Sequence, residues 1–424
     1  MINIVKADGI AEKQQIAAME ARAAETNAGI NQSAAEIMEA VRKGGFAAVK
    51  EYSLKFDKAE PYEIPQEELE AAAKRIDPKL LSALQESAEN IRDYQEHLLT
   101  KSTLWESPMK GGMVGQVVRG LSRVGIYVPG GRAAYPSSVL MNAVPAKVAG
   151  CGEIIMVTPP TENLNDAVLA AAWVANVDRV IAVGGVQAVA ALTYGAGFIP
   201  KVDKLVGPGN AYVAAAKRMA YGSLEIDMVA GPSEVLVIAD EKADPCYVAA
   251  DLLSQAEHDV MASAVLLTTS MELAEKVKAE LKRQTDYLSR KDVILECLRD
   301  YGAIIVCDDL DDCCKLANEI APEHLELMTE EPEALLPKIL NAGAVFMGEN
   351  TPEPLGDYMA GPCHVLPTSG TARFFSPLSV ESFLTKMSVI NFSRDALASV
   401  KDGIIEMAES EHLTAHANSI RVRF

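Results

Sequence analysis

Histidine is scarce in this 424-residue chain, six residues in all, and four short segments hold every one except His97. The segments are Gln255-Ala256-Glu257-His258, Pro322-Glu323-His324, the run from Gly356-Asp357-Tyr358 to His364, and the run from Glu411 to His416. Imidazole and carboxylate are the side chains that bind Zn²⁺ and carry protons near neutral pH. Any one such histidine is more often a satisfied structural residue. Several segments that each set His beside Asp, Glu, Gln or Gly point instead to one polar site gathered from distant parts of the chain. That pattern favours a metal-assisted enzyme.

The spacings refine this reading. Gln255 and His258 stand three apart at the end of a helical stretch over residues 244–256, which puts both on one face. Glu323 and His324 are adjacent at the start of a strand, and an acid next to an imidazole suits paired proton transfers. Asp357 falls in a loop punctuated by Gly and Pro, where exposed backbone favours function. His412 and His416, four apart, have the spacing to chelate one metal from one helix. Cys363 lies in the same region without a local base, and a lone Cys of that kind is usually an inert small hydrophobe.

Stepwise alternation of apolar runs and helices supplies the frame for these residues. Residues 123–128, 153–157, 179–183, 204–206 and 225–229 read as strands, with helices over 137–150, 165–176, 187–194 and 211–221 between them. A second series follows at 234–238, 262–268, 303–306, 325–328 and 344–347. Near-continuous apolar strands joined by helices imply buried parallel sheets, here two α/β units of duplicated design facing a cleft. Ligands of open parallel sheets collect beyond the carboxyl ends of the strands. Gly130-Gly131, Gly184-Gly185 and Gly207-Pro208-Gly209-Asn210 stand at such ends in the first series, where glycine lets backbone approach a phosphate and a helix N-terminus adds its dipole. The G-x-G-x-x-G fingerprint is absent, because Tyr212 occupies the place of its third glycine. The first hundred residues read as polar helices, including 11–24, 33–43 and 66–75, with the look of scaffold and oligomer contact. Beyond Thr371 the chain reads as a small, mostly helical appendage.

Composition sets bounds. Hydrophobic residues make up 49% of the chain, enough for large cores and two to three domains. No apolar run approaches the roughly 18 residues of a membrane span, and the start lacks the basic end and apolar core of a signal peptide. The seven cysteines are odd in number and form no C-x-x-C pair, which fits a reducing cytoplasm and argues against cysteine-held zinc. A net charge of −20 excludes nucleic acid as a natural partner.

Over the whole chain, in order, the sequence resembles the histidinol dehydrogenase family. The strings that carry the likeness are Arg123-Val124-Gly125-Ile126-Tyr127-Val128-Pro129-Gly130-Gly131, residues 206–210, Ile226-Asp227 followed by residues 230–240, residues 321–325, and Ser369-Gly370-Thr371-Ala372-Arg373. The resemblance implies an α/β fold of two Rossmann-like parallel-sheet domains without the usual fingerprint, with small helical N- and C-terminal appendages. It divides the chain into 1–24, 25–126 with 234–377, the NAD-binding 127–233, and 378–424. It implies a cytoplasmic homodimer that oxidises L-histidinol to L-histidine with NAD and one Zn²⁺ per subunit. Matched position by position, Glu323 and His324 are its acid/base pair. Gln255, His258, Asp357 and His416 are its metal ligands. Ser233, Gln255, His258, His324, Asp357, Glu411 and His416 meet the substrate, with His364 close by. Tyr127, Gln187 and Asn210 are its NAD positions. The likeness further implies that Glu411 and His416 serve the partner's site. One position departs from the family: the usual Gly between Glu411 and His416 is His412.

Overall fold

The computed structural model describes residues 2–24, 28–109, 111–130, 135–160, 164–229 and 231–424. Gly131 and Ala230, quoted above in the resemblance, lie outside these residues, as do residues 25–27 of the expected first domain.

Two six-stranded sheets form the frame. In the first, Arg123–Tyr127 lies between Glu153–Thr158 and Lys204–Val206, with Arg179–Ala182 and Glu225–Ile226 outside them, all parallel. In the second, Glu234–Ala239 lies between Ser263–Thr268 and His324–Met328, with Gly302–Val306 and Ala344–Met347 outside, again all parallel. Numbered by sequence, both sheets run 3-2-1-4-5. Each is completed by a strand from the N-terminal region laid beside its third strand: antiparallel Tyr62–Ile64 in the first, parallel Asn3–Lys6 in the second. The inner strands are almost wholly buried, Val, Ile, Leu and Ala on both faces, because helices cover both faces.

These pairings divide the chain differently from the expectation. Asn3–Lys6 is a strand of the second sheet rather than part of a helical appendage. The helices Ala28–Gly44 and Phe46–Phe56 send Ala34, Ile37, Met38, Val41 and Val49 into the core of the first sheet, alongside Tyr127 and Ile155. Gln66–Arg75 and Pro78–Leu98 cover its other face through Leu69, Ala72, Leu84 and Ile91. Their amphipathic stripes are matched to that sheet, so they belong with residues 123–226 and not with 234–377.

A third sheet, antiparallel and three-stranded, was not expected: Leu384–Phe392 pairs along its whole length with Gly112–Gly120, which pairs with Thr103–Glu106. The C-terminal region is therefore a strand followed by two helices, Arg394–Ser410 and Thr414–Arg421. This arm has little core. Only Ala396, Ala408 and Ala417 are buried in its helices, whereas Trp105, Met387, Ile390, Met407 and Val422 are each more than half exposed.

Candidate active site

The two sheets meet across a cavity of about 1060 Å³, a volume at the upper end of small-molecule sites. The first sheet faces it with its carboxyl ends. Pro129 and Gly130 after one strand, Gly207 to Asn210 after another, and Asp227 and Met228 after a third line the wall. Gly207 has φ +105, and a Cβ there would meet the Tyr127 carbonyl oxygen at 2.2 Å, so only glycine fits. Asn210 starts the helix Ala211–Ala220, its side chain accepting from the backbone N–H of Tyr212 and Val213. Of the three expected NAD positions, Asn210 alone lines the cavity. Tyr127 is buried behind it, its hydroxyl accepting from Gly185 N at 3.0 Å, and Gln187 is buried with its amide donating to Asp57 Oδ2 at 3.1 Å.

The second sheet faces the cavity with its amino ends. Ser233 precedes Glu234–Ala239, and the carbonyl of Ser233 accepts from Ser263 N. The helix Leu310–Ile320 stops at Ala321, held left-handed at φ 51, and Pro322 then leads into Glu323 and His324 at the head of a strand. Glu323 Oε2 accepts from Glu234 N at 2.9 Å. Burial, then the nearby carboxyl groups of Glu234, Asp357 and Glu353, push the Glu323 carboxyl well above the usual range despite that hydrogen bond. His324 Nδ1 lies 2.9 Å from the Glu234 carbonyl oxygen. A carbonyl only accepts, so Nδ1 carries the hydrogen and Nε2 keeps its lone pair. Nε2 is buried and has no hydrogen-bond partner among the described residues. Burial lowers the imidazole to about 4, which keeps it neutral and basic at pH 7.

Three elements bring pairs of polar side chains to this wall, Gln255, His324, Glu353 and Asp357 lining it and Asp251 and Glu326 outside the lining. The helix Pro245–Ala256 contributes Asp251 and Gln255, four apart, with His258 just past its end. The strand His324–Met328 contributes His324 and Glu326, two apart and therefore on one face. The short helix Glu353–Tyr358 contributes Glu353 and Asp357. Asp357 is thus helical, a correction to the loop expected from its Gly and Pro neighbours; Pro352 and Pro354 open the helix instead of breaking it. Ligand atoms of His324, Glu353 and Asp357 lie within 4.8 Å of one another. Gln255 is buried with both amide atoms unpartnered among the described residues. His364 reaches across the cleft, Nδ1 3.2 Å from the Asp357 carbonyl and Nε2 3.4 Å from Ser138 Oγ.

Glu353, Glu326 and Asp251 were not singled out in the sequence, since none neighbours a histidine there. Their signal was spacing alone: Asp251 and Glu353 each stand four before an expected ligand, and Glu326 interrupts an apolar strand. Burial raises Glu353 to about 8 and Asp357 and Asp251 to about 6, and it pushes Glu326 well above the usual range. Burial lowers His258 and takes His364 down to about 4. Arg290 is the only Lys or Arg among the described residues lining the cavity. A pocket with this many carboxyl groups and unsatisfied amide and imidazole atoms is short of positive charge. Its N and O donors fit Zn²⁺ or a related cation.

Glu411 and His416 do not line the cavity. Both are exposed on the C-terminal arm, Glu411 at the end of Arg394–Ser410 and His416 within Thr414–Arg421. His412 stands in the turn between these helices at φ 61, before the second begins. The expectation of one helix presenting both imidazoles is corrected, because the left-handed residue breaks the helix between them. The same geometry explains why glycine is usual there. Cys363 and Cys151 are poor nucleophiles: burial pushes Cys363 up to about 12 and Cys151 up to about 11.

Comparison with known proteins gives a consistent result. A family model, Histidinol dehydrogenase, matches residues 20–424. A protein named histidinol dehydrogenase from Caldanaerobacter subterraneus subsp. tengcongensis is 55% identical over 92% of this chain and 91% of its own. The crystal structure of histidinol dehydrogenase from Elizabethkingia anophelis is 35% identical and superposes with a TM-score of 0.94, covering 100% of this chain and 98% of that one. A betaine aldehyde dehydrogenase from Staphylococcus aureus, 12% identical with a TM-score of 0.51 over 90% of this chain and 87% of that one, shares the fold alone.

Proposed function

Since the chain belongs to the histidinol dehydrogenase family, we propose that it oxidises L-histidinol through L-histidinaldehyde to L-histidine, passing two hydrides in turn to two NAD⁺. The observation that carries this reading is His324, whose Nδ1 is tied to the Glu234 carbonyl while its bare Nε2 lies 4.0 Å from Glu353 Oε1 beside Asp357. Gln255, His258 and Asp357 would hold the zinc with His416 of the partner subunit, and the turn from Gly207 to Asn210, with Tyr127 and Gln187 behind it, would take the dinucleotide. When bound, zinc fixes the substrate's imidazole and amino nitrogens and NAD⁺ accepts the hydride.

The chain's own residues then handle the protons. His324 Nε2 removes the alcohol proton as hydride leaves the adjacent carbon, giving the aldehyde. Glu323 takes a proton from the water that adds to the aldehyde carbon and returns it to the former carbonyl oxygen, so the product is a gem-diol that keeps both oxygens. His324, having passed its first proton to solvent, removes a diol proton as the second hydride leaves, and the product is a carboxylic acid. A carboxylate whose proton affinity is raised by burial is the stronger base once ionised, which suits Glu323 to activating water. Ser233 and His364 border the substrate, and Glu411 of the partner subunit completes its contacts.

A homodimer is part of this proposal. Its support is the C-terminal arm, which leaves Ile390 and Met407 exposed and carries Glu411 and His416 away from their own cleft. A cytoplasmic setting agrees with seven free cysteines, and among the described residues no helix is long and apolar enough to cross a membrane. The test is NADH formation from L-histidinol with and without a zinc chelator. Absence of NADH from the metal-replete protein would overturn the reading.

A further inference from the structure

The turn Gly207-Pro208-Gly209-Asn210 is held from beneath by two charged side chains that no step above uses. Lys217, two turns into the helix that the turn begins, donates to the Gly207 carbonyl at 2.8 Å. Asp227, just past the strand Glu225–Ile226, accepts from Gly207 N at 2.8 Å through Oδ2 and from Met228 N at 2.7 Å through Oδ1. Lys217 and Asp227 also form an ion pair, with side chains 4% and 2% exposed. One glycine thus has its N–H and its C=O each bound to one member of a buried pair. Asp227 is also the first residue of the crossing into the second sheet, where Gly231 N donates to Thr368 Oγ1 at 2.7 Å.

We infer that Lys217 and Asp227 are positioning residues for the dinucleotide: Lys217 fixes the Gly207 turn and neutralises the Asp227 carboxylate that would otherwise face the diphosphate. The inference rests on the proposed use of this wall for NAD. Asp227 borders the cavity and Lys217 does not. An anionic ligand near Gly207 therefore lies close to a buried carboxylate, and the full charge that offsets its repulsion is the ammonium behind it. A buried pair of charges gains little stability over an apolar pair, while loss of one partner leaves the other uncompensated. The geometry accounts for keeping it, because an apolar pair would leave both backbone groups of Gly207 unsatisfied.

This account separates the two residues by size of effect. Lys217→Met unmasks Asp227 and frees the Gly207 carbonyl. Asp227→Asn keeps one acceptor, enough for Gly207 N but not for Met228 N as well, and removes the negative charge. The measurement is NADH binding by fluorescence titration of the zinc-loaded protein, together with KM for NAD⁺ and for L-histidinol. Lys217→Met should raise the NADH dissociation constant about tenfold or more. Its KM for histidinol and its zinc content should stay unchanged. Asp227→Asn strands Lys217 and should also weaken NADH binding, but by less than Lys217→Met because no unmasked carboxylate results, and Lys217→Met/Asp227→Asn should recover at least half of the affinity lost in Lys217→Met on a logarithmic scale. If Lys217→Met does not fold, Lys217→Gln carries the same comparison with a polar group retained, and the rescue by Asp227→Asn is read on that background. The inference fails if the lysine variant binds NADH like the parent, if both KM values rise together, or if the double variant is no better than the single. Failure of the parent protein itself to bind NADH would instead remove the reading on which the inference rests.

Discussion

The two sheets share one strand order and present opposite ends to the same cleft. The first sheet follows the usual rule, with Gly130, Gly207 and Asp227 beyond the carboxyl ends of its strands. The other sheet breaks it, with Ser233, Glu323 and His324 at the amino ends. The consequence is electrostatic. Carboxyl ends of parallel strands lie beside helix N-termini, as at Asn210, and favour anions such as a diphosphate. Amino ends lie beside helix C-termini, as at Gln255 and Ala321, and favour cations such as a metal ion or a substrate ammonium. One duplicated design yields both halves of a site simply by facing the copies head to tail. The carboxyl end of the second sheet is closed to phosphate by acids: Asp240 accepts from Lys242 N and Glu330 N, and Asp309 caps the helix Leu310–Ile320.

The sharpest way to break this comparison is to disable the amino-end wall alone. His324→Asn should lower both hydride transfers, by about 10²–10⁴ if Nε2 is the base. Glu323→Gln should still form aldehyde but lose most histidine production. The readout is single-turnover NADH formation from histidinol and from histidinaldehyde, with NADH affinity unchanged in both variants. Equal loss of the two half-reactions in Glu323→Gln would contradict the division of labour between the pair.

The cation-seeking character of this wall was legible in the sequence to the extent that its residue types are rare. Three of the six histidines, His258, His324 and His364, line the cavity, and Gln255, Glu323 and Asp357 were found through their proximity to imidazole. Glu353, Glu326 and Asp251 escaped because carboxylates are common and only the fold tells a buried one from a solvated one. The five consecutive strands of each parallel sheet were legible from their apolar runs, but Asn3–Lys6 and Tyr62–Ile64, which complete those sheets, were not, nor were Thr103–Glu106 and Gly112–Gly120. Which end of each sheet faces the other was not, since strand pattern carries no such information. The strand Leu384–Phe392 was missed because it lacks a buried face: six of its nine residues are exposed, in a pattern without clean alternation.

A second effect tests whether the amino-end wall is complete in one chain. Glu323→Gln/His324→Asn and His416→Asn are each expected to be nearly inactive as homodimers. In mixed dimers with a shared site, one site collects both lesions and the other none, so about half of the parent activity per heterodimer should return. Native mass spectrometry verifies that mixed dimers form. An inactive mixed dimer would mean that the arm folds back on its own cleft.

The crowding of carboxyl groups predicts a smaller effect, on stability. Burial holds the Glu353 proton up to about 8, against 4.5 for an ordinary glutamate, and those of Asp357 and Asp251 up to about 6, against 3.8. The folded chain then binds more protons than the unfolded one, so these acids cost stability as pH rises through their windows. His324 and His364, lowered to about 4 from 6.5, act oppositely, because the unfolded chain is the one holding protons between those values. Their contribution is complete above about pH 6.5, where Glu353 is still titrating. The metal-free protein should therefore lose melting temperature between about pH 6.5 and 8, and saturating zinc should flatten that slope. A melting temperature that rises across this window in chelator would show that the carboxyl cluster is not under the strain described.

The smallest expected effect lies in the arm, at His412. Its φ of 61 places a side chain where glycine is favoured, in the turn that closes the helix Arg394–Ser410: His412 N donates to the Glu409 carbonyl and Leu413 N to the Ala408 carbonyl. An ordinary residue in this conformation costs about 1 kcal/mol, part of which glycine returns through the greater freedom of its unfolded chain. His412→Gly should therefore change stability by less than about 1 kcal/mol, in the stabilising direction, and leave zinc affinity and activity as they were. The reason is positional. His412 precedes the helix that carries His416, and a left-handed residue turns its side chain away from the direction that a helical i and i+4 pair would share. Zinc titration of His412→Gly and His416→Asn separates the two imidazoles. If His412→Gly loses zinc and His416→Asn keeps it, the metal ligand of the arm is His412, and the turn has been kept at some cost in backbone strain for that purpose.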